Sequence, residues 1–150
     1  MRVSYQEIKS IVALVSTLLI NGLYGWYVFW RYQQEAPGVA ELFRFWAVAM
    51  LIFMGVALVA QILITVVFRA AYRRITGETE PSFADELDRT IGLRATRNAY
   101  YAFALGLVVA LLTQVLSLPP VALFATMFLA GIASEVAQAL TQLYYYRRGV

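Results

Sequence analysis

One acidic residue, Glu135, stands inside an apolar stretch long enough to cross a bilayer. Gly131, Gln138, Ala139 and Gln142 share its helical face at i−4, i+3, i+4 and i+7. A carboxylate set among carboxamides can take up and release a proton or a cation. Holding that carboxylate ionised against lipid costs roughly 2.5–3.5 kcal/mol on insertion scales. Glu135 should therefore face protein, be neutral, or line a hydrated path. Gln61 is a candidate partner. Both Gln61 and Glu135 stand thirteen residues before the arginine that ends a Tyr-Arg-Arg triplet, Tyr72-Arg73-Arg74 and Tyr146-Arg147-Arg148. On two helices running the same way they fall at matching height, which is also a faint sign of a two-hairpin repeat. Asn21, slightly beyond the middle of the first span, extends this polar set. The competing role is structural: a protonated Glu135 bonded to an amide, fixing helix register or an oligomer contact. With one titrating group at depth and no ionisable relay partner beside it, the structural role weighs more.

The second group of interest is the polar interval 81–97, which carries Asp85, Glu86, Asp88, Arg89, Arg94 and Arg97. Ser82 three residues before Asp85, just after Pro81, reads as a capping-box-like helix start. Phe83, Leu87, Ile91 and Ala95 repeat at i,i+4 and make one narrow apolar stripe. Asp85 and Glu86 precede Arg89 in the acid-first order that supports a helix. The pattern predicts an amphipathic helix on the membrane surface that bends into the third span, with Gly92 as its hinge. It is either a solvated connector or a docking surface for a partner.

The chain has no cysteine and no histidine, which removes thiol nucleophiles, Ser-His-Asp relays, the usual zinc sites and His-ligated haem. No assembled nucleophile, base and metal set is legible, so the chain is expected not to be an enzyme and to need no cofactor. A net charge of +3, dispersed along the chain, does not suit nucleic acid.

These residues must be positioned by a membrane protein. The composition is 61% hydrophobic and only 14% charged, against about a quarter charged in soluble domains. One transmembrane domain over 1–150 is expected, with spans at about 8–30, 46–68, 99–116 and 121–143. The first is long enough to be a retained helix rather than a signal peptide. Pro37-Gly38 marks a turn within the connection Arg31–Arg44, and Pro119-Pro120 marks another. The N-terminus, the 69–98 segment and the C-terminus carry ten Lys/Arg, and the other two connections carry Arg31 and Arg44 only. The positive-inside rule then puts both termini and 69–98 in the cytoplasm. Ala102, Gly106 and Ala110 form one small-residue row, and Ala122, Thr126, Ala130 and Ser134 another. The third and fourth helices should pack on these rows as an antiparallel hairpin. Asn21, Gly22 and Gly25 facing Gly55, Ala57 and Ala60 offer a weaker pairing of the first two helices.

The run Asp85-Glu86-Leu87-Asp88-Arg89-Thr90-Ile91, then Arg94, Arg97 and Tyr100-Tyr101, resembles a pattern in small, uncharacterised four-helix bacterial membrane proteins. In those a D-E-x-D-x-x-I-x-x-R-x-x-R segment joins the second and third helices, and the chain ends in a Tyr/Arg-rich stop. The resemblance covers the second half of the chain. It implies a multi-pass protein of the bacterial cytoplasmic membrane and no particular activity, and Glu135 lies outside its motif. The expected fold is an all-α four-helix membrane bundle, N-in and C-in, in contact with the lipid bilayer, and a homo-oligomer or a subunit of a larger membrane complex. The leading functional expectation is an accessory or regulatory subunit engaging a partner through 81–97. The alternative is a small proton- or cation-coupled transporter or channel centred on Glu135.

Overall fold

A computed structural model of the chain describes residues 5–77 and 86–148, and these form four helices. They are α1 (Tyr5–Glu35), α2 (Val39–Thr76), α3 (Glu86–Val115) and α4 (Pro120–Arg148). All four are long and apolar enough to cross a membrane. The shortest has 29 residues, about 43 Å at 1.5 Å per residue, against a hydrocarbon core of about 30 Å. Each helix therefore has length to spare for headgroup-level ends. This is the architecture of a multi-pass membrane protein.

The two short connections are shaped by backbone chemistry that the turn residues announce. Most of the stretch expected to join the first two spans is helical, and only residues 36–38 are not. Arg31 explains part of this, because its Nε pairs with Glu35 Oε1 one turn on at 2.5 Å. Ala36 takes a left-handed φ of 38°, and the Gly38 carbonyl accepts from the Glu41 and Leu42 amides at 2.9 Å. At the far end of α3, Ser117 has φ 58° and the Leu118 amide donates back to Thr113 O at 2.9 Å. That six-to-one bond is a Schellman closure. Pro120 then opens α4 at the one helical position where a missing N–H costs nothing.

α4 is the hub. It packs most extensively on α3, next on α1, and only lightly on α2. The α3–α4 seam uses the small-residue rows: Ala110 is fully buried and Ala130 nearly so. A Cβ placed on Gly106 would overlap the Ala130 Cβ and meet its Cα at 3.0 Å. Without a water-driven hydrophobic force, such close backbone approach is what dispersion between membrane helices requires.

Three expectations differ from the structure. Residues 86–98 are not a separate surface helix hinged at Gly92; the part that is described continues without a break into the span. Ile91, Ala95 and Ala99 are buried, so the apolar stripe packs within the protein and a bend at Gly92 would forfeit that contact. The glycines of α1 and α2 do not meet: Gly22 and Gly55 have open space at their Cβ positions, and Gly25 faces Phe128 of α4 at 3.0 Å. The two hairpins are also unlike each other, since α1 and α2 touch only lightly where α3 and α4 pack closely. Pro81, Ser82, Phe83 and Asp85, with the expected helix cap, lie outside the described residues.

Candidate functional site

α1 and α4 run antiparallel along a polar seam. Near the ends of the chain, Arg147 Nε lies 3.8 Å from Glu7 Oε1. Buried Ser10 donates its hydroxyl proton to Gln6 O of its own helix at 2.9 Å, and its Oγ lies 3.3 Å from Gln142 Oε1. Farther in, buried Asn21 donates through Nδ2 to Thr17 O at 2.7 Å and to Glu135 Oε2 at 3.4 Å. Beyond that, Gly25 meets Phe128. Glu135 is thus held from one side by an amide, and its other side is exposed in the isolated chain.

That open side looks into a groove of about 550 Å³ between α1, α2 and α4. Glu135, Gln138 and Gln142 supply its α4 wall, Asn21 and Thr17 its α1 wall, and Gln61 projects into it from α2. The structure therefore brings together all four polar residues that the sequence singled out for this site. It adds Lys9, which lines the groove near the start of α1. Farther along, at the level of Asn21, Phe53 lines the groove. Its ring packs on Phe128 at 4.8 Å and on Tyr24 at 5.0 Å between centroids. Tyr24 is anchored in turn by its hydroxyl, which donates to Ala49 O at 2.5 Å. Among the described residues, no three acidic side chains gather into a metal-binding set.

Lys9 and the Phe53 layer are the parts that sequence reasoning missed. Lys9, Ala13, Thr17 and Asn21 do repeat every four residues, so one face of α1 was legible as a row. Nothing local shows that this face turns toward Glu135. The aromatic layer joins three helices and has no spacing signature in any one of them.

The polar interval on α3 is partly spent inside the protein. Asp88 accepts from Gln6 Nε2 at 3.4 Å and from the Tyr146 hydroxyl. The Arg94 guanidinium lies 5.0 Å above the Tyr145 ring, and one turn on Asn98 Nδ2 donates to Thr141 Oγ1 at 3.1 Å. Glu86, Arg89 and Arg97 are exposed. Of the expected docking residues, then, Asp88 and Arg94 tie α3 to α1 and α4, Glu86, Arg89 and Arg97 face outward, and Asp85 is outside the described residues.

No protein-family model, curated protein or solved structure matches this chain.

Proposed function

We propose that the chain is a non-enzymatic membrane protein that admits a proton or small cation along the α1–α2–α4 groove to Glu135, as a small coupled transporter or channel. The observation that carries this reading is the convergence of Asn21, Gln61, Glu135 and Gln138, from three helices, on one groove at membrane depth. A carboxylate exposed at that depth is costly against lipid. Amides on the surrounding walls give water or a cation the oxygen partners that make the position tolerable. Lys9 lines the same groove toward the start of α1, about 18 Å along the helix from Asn21, so it marks the mouth of the path and Glu135 stays the titratable group at depth.

Orientation follows the arginine distribution: both termini and the Lys9 end of the groove face the cytoplasm, in the bacterial cytoplasmic membrane that the motif resemblance implies. Access is then from the cytoplasmic side, and the Tyr24–Phe53–Phe128 layer is the barrier that a transport cycle has to part. A homo-oligomer or larger complex that covers the groove's open side belongs to the same reading. The test is flux in proteoliposomes. Uptake of protons or monovalent cations should depend on pH and be abolished by Glu135→Gln. No flux with the wild type, or equal flux with the variant, removes the proposal.

Exposure of Glu86, Arg89 and Arg97 favours a second reading, in which this outward face of α3 docks a partner and the protein is an accessory subunit. The face is smaller than the sequence suggested, because Asp88 and Arg94 are engaged within the chain.

A further inference from the structure

A second groove, separate from the Glu135 site, runs along the outer face of the α3–α4 hairpin. Its volume is about 620 Å³, and it lies where the last turns of α4 pass the start of α3. Its floor is the Asn98–Thr141 hydrogen bond. Leu140 and Leu143 line it on the side nearer the middle of the membrane, and Tyr144, Arg147 and Arg148 line it on the side nearer the helix end. Polarity is therefore graded along its length, apolar inward and cationic outward, as it is along a phospholipid.

The cations are held in place. Arg94 lies over Tyr145, and Arg148 lies over Tyr144 at 5.4 Å, with Nη1 also 3.4 Å from the Tyr144 hydroxyl. A guanidinium held over an aromatic ring keeps N–H donors free at its edge, in the planar fork that suits a phosphate. Arg147 is partly neutralised by Glu7, so the lining donor assigned to the ligand is Arg148, and Arg94 adjoins the groove over Tyr145, which lines it. Arg94–Tyr145 and Asn98–Thr141 are successive rungs one turn apart on both helices, which makes the floor and one flank a single rigid unit.

We infer that this groove binds one anionic phospholipid. Its phosphodiester sits at the Arg148 guanidinium with Arg94 adjoining over Tyr145, its glycerol region lies over Asn98 and Thr141, and an acyl chain runs along Leu140 and Leu143. Juxtamembrane arginines gain about 1 kcal/mol each near an anionic leaflet without any built site. A site must therefore exceed what a lone surface arginine gives, and the experiment is arranged to separate the two.

The protein, purified in mild detergent, is exposed to dioleoyl phosphatidylglycerol or dioleoyl phosphatidylcholine and the bound lipid is counted by native mass spectrometry. Phosphatidylglycerol should be retained about tenfold over phosphatidylcholine, with one tightly held copy, which is about 1.4 kcal/mol against the roughly 1 kcal/mol that a lone surface arginine gives. Arg148→Gln should erase most of that preference, and Arg94→Gln the remainder. Arg31→Gln, at the opposite end of the bundle, should leave it intact. Arg148 ends α4 and is exposed, so its replacement leaves the helical fold in place, which far-ultraviolet circular dichroism checks. Equal retention of the two lipids, a preference that survives both groove substitutions, or an equal fall with Arg31→Gln overturns the assignment.

Discussion

Gly106→Ala tests the closest approach in the molecule. A Cβ at this position overlaps the Ala130 Cβ and stands 3.0 Å from the Ala130 Cα. Carbon atoms rest at about 3.5–4.0 Å, so relieving the Cβ overlap at this rung parts α3 and α4 by on the order of 1 Å or more. A gap of that size forfeits about half of each contact it opens. Neither partner can swing away, because one is backbone and the other a methyl on backbone. Overpacking of this kind costs about 1–3 kcal/mol, and alanine's better helix propensity returns up to roughly 1 kcal/mol. A net loss of about 1–2 kcal/mol is expected.

Gly55→Ala is the matched control. Nothing lies within 4 Å of its Cβ position, so only the propensity gain acts and stability should hold or rise slightly. Gly25→Ala should fall between the two, since the atom it meets is the edge of the Phe128 ring at 3.0 Å, and a ring can tilt. Reversible unfolding in mixed detergent and dodecyl sulfate micelles, followed by circular dichroism, measures all three. If Gly106→Ala is as stable as Gly55→Ala, the α3–α4 seam is not packed as described, and the floor of the outer groove loses its support.

Two further outcomes follow from the sites. The chain has no cysteine, so single cysteines report water access cleanly. Gln138→Cys in the groove should react with a charged thiosulfonate at least about tenfold faster than Leu111→Cys, which faces outward at 56% exposure, because thiolate forms in water and not in lipid. Similar rates would mean that the groove is dry, and would remove the access path to Glu135. If the outward face of α3 docks a protein, the double change Glu86→Lys and Arg89→Glu should abolish recovery of that partner in a pull-down, while membrane insertion stays intact. Unchanged recovery would dismiss that reading.

The parts of this fold that were legible are those governed by one helix at a time. Apolar length marked the spans, Pro37-Gly38 and Pro119-Pro120 marked the turns, and the rows at Ala102-Gly106-Ala110 and Ala122-Thr126-Ala130 marked a seam, because small residues in register admit few other uses. Glu135, Gln138, Gln61 and Asn21 were legible as a polar set because such groups are rare within apolar spans, and they line one groove. What stayed hidden depends on how helices rotate around one another. Gly22 and Gly25 look alike in sequence, yet one faces open space and the other Phe128. Where α1 and α2 do meet, the contact is made by the rings of Tyr24, Tyr32, Phe45, Trp46 and Phe53 and not by glycines. The continuity of α3 through Gly92 was hidden for a related reason. A glycine in a helix costs only about 1 kcal/mol, and the burial of Ile91 and Ala95 against neighbouring helices outweighs it.

Aromatic contacts of this kind also account for the groove. α2 is fastened to α1 by rings at three levels: Tyr5 with Phe68 and Tyr72 at 5.4 and 4.6 Å, Tyr24 with Phe53 at 5.0 Å, and Tyr32 with Trp46 at 5.5 Å. Between the first two levels its groove-facing residues include Ala57, Leu58 and Gln61, and Ala57 is too short to reach across the spacing that the rings impose. Leu58 and Gln61 are exposed and Ala57, half-buried, is the small residue on this wall, so the cleft opens beside it, at the height of Glu135. Filling it from the α2 side should therefore close the site without touching a polar residue. Ala57→Phe ought to suppress Glu135-dependent flux while preserving the α3–α4 seam, and flux undiminished in that variant would show that ions reach Glu135 by another route.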